Sequence, residues 1–202
     1  MTAAPELRAA LVQLRARVDA HFDAATRRTP AAFACREGCD RCCHQRFSVF
    51  EVEAAPLREA LTALGRAAPA LRAQVRAQAT DPQRSDRCAM LVAGRCAVYA
   101  ARPLICRSHG LPIAVDEGDG LRLDCCPLNF AGDGDGDGAS AEGGRPGGRV
   151  FDPPPPRESV LRLDAVNHPL VVLAELWREA TADDPRSLRV ELAELAAAED
   201  PP

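Results

Sequence analysis

A chain of 202 residues with 47% apolar content suffices for one compact core with appendages and falls short of two full-sized domains. Its 25 basic residues against 29 acidic ones leave a net charge of -4, which supplies no bulk attraction to nucleic acid or to an anionic membrane. Every basic residue is Arg and none is Lys, so Schiff-base lysine chemistry and the phosphate-binding lysine of a P-loop are excluded.

The first element is an amphipathic helix over residues 5–27, because Leu7, Leu11, Leu14, Val18 and Phe22 recur at steps of three and four. Arg8, Arg15 and Arg17 interrupt its apolar positions, so the stretch is neither a secretion signal nor a membrane span, and a cytoplasmic location is expected. Next comes "CREGCDRCC", which places Cys35, Cys39, Cys42 and Cys43 within nine positions. In a reducing cytosol, clustered cysteines point to metal ligation or catalysis before structural disulfides. Cys35, Cys39 and either Cys42 or Cys43 have spacing that a turn can close around one ion, and Gly38 supplies backbone freedom for such a turn. Cys42 and Cys43, being adjacent, are expected to point in different directions.

In "FSVFEVEAAPLREALTALG" a short β-prone run leads into a helix, with Pro56 expected in its first turn and Gly65 as its C-terminal stop. A second helix, "PALRAQVRAQAT", follows. Cys88, Cys96 and Cys106 come next. "LPIAVDEGDGLRLDCC" reads as a hairpin whose second strand delivers Cys125 and Cys126. His44 and His109 lie beside or near cysteines, but an ordinary hydrogen-bonding role is the better reading of both. From Ala131 to Gly148 the residues are almost all Gly, Asp, Ser and Ala, which reads as a flexible linker, and "DPPPP" stiffens its exit. "SVLRLDAVNHP" looks extended, a helix is expected from about Pro169, and a last helix, "DPRSLRVELAELAAA", is expected with Asp184 as N-cap and Pro185 at its first position. The expected class is therefore α+β, mainly helical: a small cysteine-rich metal-binding domain with short hairpins and amphipathic helices. The expected division is an N-terminal helix (1–30), a cysteine-cluster domain (31–130), a linker (131–158) and a C-terminal helical segment (159–202).

"CREGCDRCC", followed by "CAMLVAGRCAVYAARPLICRSHGLP" and "DCCPLNF", resembles the YkgJ-like cysteine-cluster family, whose shared domain is described as chelating zinc or iron. The family is itself similar to the metal-binding part of flagellin lysine N-methylases. The resemblance covers residues 35 to about 130 and implies Cys35, Cys39, Cys42, Cys43, Cys88, Cys96 and Cys106 as metal ligands, with Cys125 or Cys126 as the eighth. Tyr99, Arg102, Pro103 and Arg107 match its second signature. Arg107, beside Cys106, is expected to hydrogen-bond or neutralise thiolate charge at the cofactor.

Spacing does not separate zinc from an iron-sulfur cluster. Two four-cysteine sites, or one cubane with spare cysteines, both use the count, and the adjacency of Cys42 and Cys43, which lets one serve each of two sites, slightly favours two. The expected function is that of a cytoplasmic metal-binding protein, structural or regulatory, whose partner is a metal ion and which engages neither nucleic acid nor membrane; the sequence identifies no protein partner. The alternative is a metal-dependent enzyme of iron-sulfur redox or methyl-transfer type, implied only by the distant similarity to the methylases. The chain has no G-x-G-x-x-G, H-E-x-x-H or G-x-S-x-G motif.

Overall fold

Helix α1 runs Ala4–Arg28, one residue beyond the expected helix at each end, and the predicted stripe is its buried face: Leu7, Leu11, Leu14 and Val18 are almost fully enclosed. The computed structural model describes residues 4–116, 118, 120–131, 151, 153–181 and 189–200. Most of the expected linker, together with Asp184 and Pro185, lies outside the described residues. The described elements make the protein α+β and mainly helical, as composition and periodicity indicate. No described helix is long and apolar enough to cross a membrane.

The chain divides into two compact units, each built from separated segments: one from residues 1–13, 37–103 and 170–202, the other from 14–36 and 104–169. In the first unit, strand β1 (Ser48–Phe50) leads into helix α2 (Glu51–Ala67), then α3 (Pro69–Thr80). Helix α2 begins early enough that Pro56 falls in its second turn, and it continues through Gly65 instead of stopping there. Gly65 has a packing reason: a Cβ at that position would stand 2.9 Å from Asp200 Oδ2. Strand β2 (Leu91–Val92) pairs with β3 (Arg95–Cys96), and the turn between them holds Ala93 and Gly94 at positive φ. Two positive-φ residues are the requirement of a type I′ hairpin. Two-residue strands carry no detectable periodicity, which is why this hairpin was not anticipated from sequence.

The last segment corrects the expected C-terminal helix. Arg189–Glu191 is strand β7, antiparallel to β1 with Val49 opposite Val190, and among the described residues of this segment Leu192–Ala197 is helical (α6). Glu191 and Glu194 form a reciprocal capping box that starts α6, so a strand can pass directly into a helix. Leu192, Leu195 and Ala196 join Val49, Leu57, Leu61, Val75, Met90 and Val98 in the core. Arg72 of α3 is 4% exposed, and its guanidinium donates to Asp200 Oδ1 at 3.0 Å, to Ala196 O at 2.7 Å and to Ala198 O. That buried cation satisfies carbonyls that the end of α6 leaves open.

The second unit is organised on a three-stranded sheet. Strand β4 (Ile113–Asp116) lies between β5 (Leu121–Asp124), antiparallel, and β6 (Leu161–Arg162), parallel. The hairpin is the expected one, but β5 ends at Asp124, so Cys125 and Cys126 follow the strand rather than lie in it. Helix α4 (Leu104–Ser108) carries Cys106. Phe22, Phe33, Phe130 and Phe151 form a chain of ring contacts with centroids 5.1 to 6.5 Å apart. Ser159 is fully buried; its hydroxyl accepts from Arg28 at 3.1 Å. Helix α5 spans Asp164–Thr181 and starts five residues before Pro169, which is tolerated inside it.

Candidate metal centre

The cysteines are distributed between the two units. Cys39, Cys42, Cys43, Cys88 and Cys96 belong to the first, and Cys35, Cys106, Cys125 and Cys126 to the second, so "CREGCDRCC" is itself shared. All nine are thiols.

In the first unit, Arg41–Cys43 form a single 3-10 turn entered from Asp40, with Cys43 N donating to Asp40 O at 2.7 Å. The turn brings the side chains of the adjacent cysteines together, contrary to the expectation that they diverge: Cys43 donates its thiol hydrogen to the Cys42 sulfur. Cys88 is tied to the same turn by a bond from its N to Cys43 O at 2.7 Å. Cys96 is placed by the hairpin, opposite Leu91, whose N bonds to Cys88 O at 3.1 Å. Three separate chain segments thus deliver four sulfurs.

Their acidities report the proximity. The hydrogen bond from Cys43 lowers the Cys42 pKa to about 6, against the opposing effect of burial. The same bond raises that of Cys43, and burial and the charges of Cys42, Cys88 and Cys96 add to it. Cys88 and Cys96 are raised chiefly by burial, and in both the charge of Cys42 contributes. Arg102 opposes this crowding at Cys42 and Cys96. Its guanidinium stacks 3.6 Å from the Tyr99 ring centroid and donates to Tyr99 O at 3.2 Å. Arg102 therefore has a charge-compensating position in this unit. Arg107 donates to Asp19 Oδ2 at 2.6 Å in the second unit. Cys39 also lies in the first unit.

In the second unit, Cys125 and Cys126 are buried, and the Cys125 thiol donates to Gly110 O at 3.3 Å. Asn129, fully buried, donates to the same carbonyl at 2.7 Å and to Cys35 Sγ at 3.2 Å. Sequence reasoning missed Asn129; its position three residues after "CC" in "DCCPLNF" was the available signal. His44 Nε2 stands 3.4 Å from Asp40 Oδ1. His109 has its pKa lowered by burial, with Asp124 opposing.

Among the described residues, no three His, Cys, Asp or Glu side chains stand in an arrangement that holds an ion. Several sulfurs are instead engaged as thiol donors or acceptors, so ligation would draw them together after loss of their protons. The donor set nonetheless fits a soft or borderline cation, because sulfur ligands favour zinc and iron-sulfur centres over hard ions such as calcium.

Clustered thiols on turns and short hairpins, braced by small helical cores, make this a small cysteine-rich α+β protein. Residues 34–127 match the model of the CxxCxxCC family, described as "Putative zinc- or iron-chelating domain". No curated protein matches the chain, and no solved structure matches it.

Proposed function

We propose that this is a cytoplasmic metal-binding protein that holds zinc or an iron-sulfur cluster in a structural or regulatory role, with one set of thiols in each unit. The observation that carries the reading is that three chain segments bring four cysteines to one place: Cys88 N donates to Cys43 O at 2.7 Å, beside Cys42, and Leu91 links Cys88 to the hairpin position of Cys96. Four thiols are the complement of one tetrahedral zinc site or one cluster. Cys35, Cys106, Cys125 and Cys126 supply the same number in the other unit.

In the first unit Cys42 is the sulfur that ionises first, which makes it the entry ligand, since the thiolate is the form that binds. Arg102 offsets negative charge as further thiols ionise. When bound, the metal supplies folding free energy, about 10–16 kcal/mol of apparent binding energy for structural zinc in small domains. The reading requires ligands and assigns no reaction.

Anaerobic purification with elemental analysis and an absorption spectrum tests it. Zinc in stoichiometric amount with no colour selects the zinc form; iron and sulfide with visible charge-transfer absorption select the cluster. Cys88→Ser and Cys125→Ser should each remove part of the metal and the double variant all of it. Protein that carries no metal, and whose melting a strong chelator leaves unchanged, refutes the reading.

A further inference from the structure

A buried carboxamide is costly unless its hydrogen-bonding positions are used, and Asn129, 0% exposed, uses them on the surroundings of two cysteines. Its oxygen accepts from Ala34 N at 2.9 Å, beside Cys35. Its nitrogen donates to Cys35 Sγ at 3.2 Å and to Gly110 O at 2.7 Å. The Cys125 thiol reaches that same Gly110 carbonyl at 3.3 Å. Gly110, at φ +104, lets the Cys35 sulfur approach so closely that a Cβ would stand 2.8 Å from it. Two cysteines from distant parts of the sequence therefore converge on one residue, and one side chain braces the arrangement.

We propose that Asn129 is a positioning residue for a metal site in this unit, holding Cys35 and Cys125 as two donors to one thiophilic divalent cation of the zinc or iron(II) class. The proposal rests on the metal-binding reading above. Loading exchanges the thiol protons of Cys35 and Cys125 for the cation and releases them to solvent, and no electrons move. When Cys125 gives up its proton, Gly110 O loses that donor but keeps the one from Asn129, so the carbonyl is not stranded. The amide bond to Cys35 then stabilises the charge on its sulfur, the role that hydrogen-bonded neighbours of metal ligands perform.

Cobalt(II) titration of the metal-free, reduced full-length chain at pH 8 tests this, because sulfur-to-cobalt charge-transfer absorption reports both occupancy and the electronic state of the thiolates. Three proteins are compared: the parent, Asn129→Asp, which keeps the bond from Ala34 N but places an acceptor against Cys35 and Gly110, and Cys35→Ser. The expected result is a fraction of sites in Asn129→Asp that binds about 10–100-fold more weakly, with its charge-transfer band moved to longer wavelength through loss of the hydrogen bond to sulfur. Cys35→Ser should lose intensity. If Cys35→Ser titrates like the parent, the metal reading of this unit fails whatever Asn129 does. If Cys35→Ser loses intensity while Asn129→Asp keeps parental affinity and band position, the role of Asn129 is overturned and the metal reading stands. Circular dichroism of the metal-free chains checks folding; should Asn129→Asp not fold, Asn129→Ser, whose shorter side chain cannot span Cys35 and Gly110 together, is judged by the same two outcomes.

Discussion

Gly110→Ala should be among the most damaging single-methyl additions to this chain. The substitution asks two things of the structure. Alanine must adopt φ +104, a conformation that L residues rarely take, at a cost of about 1–3 kcal/mol. Its Cβ must also enter space already held by Cys35 Sγ at 2.8 Å and Asn129 Nδ2 at 3.1 Å, with Phe22 Cε2 at 3.6 Å. Overpacking of this kind costs typically about 1–3 kcal/mol. Gly118 is the matched control, for it lies in the same unit at φ +87 with nothing within 4 Å of its added Cβ. Gly118→Ala should therefore show the strain alone, and Gly110→Ala should exceed it by about 1–3 kcal/mol. The measurement is urea unfolding of both variants and the parent, followed by far-ultraviolet circular dichroism with chelator and reductant present, so that metal binding does not contribute. If the two variants unfold within about 0.5 kcal/mol of each other, the margin for ordinary surface changes, then the Cys35 sulfur is not pressed against Gly110 and the geometry behind the Asn129 proposal is wrong.

Arg72→Met should destabilise the metal-free protein by about 1–3 kcal/mol, because Ala196 O loses its buried donor while Asp200 and Ala198 O keep Arg76; an unchanged urea midpoint would count against that bracing role. Iodoacetamide alkylation of the metal-free protein should show one fast thiol, Cys42 by peptide mapping, with an apparent pKa near the value of about 6 set by its bond from Cys43; Cys43→Ala should move that profile toward an ordinary thiol, and a parental profile in this variant would rule out the pairing. The same lowered pKa stabilises the folded state as pH rises above it. Between about 6 and the ordinary thiol value of 9.0 the folded chain carries fewer protons at Cys42 than the unfolded one, so this contribution rises with pH and is lost as pH falls through about 6. Comparing urea midpoints of the parent and Cys42→Ala across that window checks the sign, and a gap between them that narrows as pH rises would contradict it.

Elements whose signal is local were legible in the sequence. Helix α1 follows from the spacing of Leu7 to Val18, and the β4–β5 hairpin from its turn residues. Arg189–Glu191 belongs to a segment of helical composition and still forms a strand, because Ser48–Phe50 offers a partner far away in sequence. That is tertiary pairing overriding propensity. The cysteine spacing announced metal chemistry, yet it did not disclose that Cys35 and Cys39, four positions apart, fall in different units. The sequence marks Arg102 through the family's second signature and Asn129 by its place after "DCC", but neither place tells what the side chain touches, because a residue that supports a ligand's neighbour is placed by the fold.

Strand β7 and helix α6 complete the same core that braces the hairpin of Cys96, and this sets a schedule for the newborn chain. A ribosome adding roughly 5–20 residues per second delivers Arg189 to Ala196 roughly 5–20 seconds after Cys96. Throughout that interval Cys42, Cys43, Cys88 and Cys96 have been synthesised but their supporting core lacks Leu192, Leu195 and Ala196. Thiols are most open to oxidation and to capture by the wrong cation while they are unsheltered. If these thiols hold a metal as proposed, the order of synthesis places its lasting acquisition in this unit late, after the segment around Leu192 has emerged, and makes the reducing power of the surroundings decisive before then.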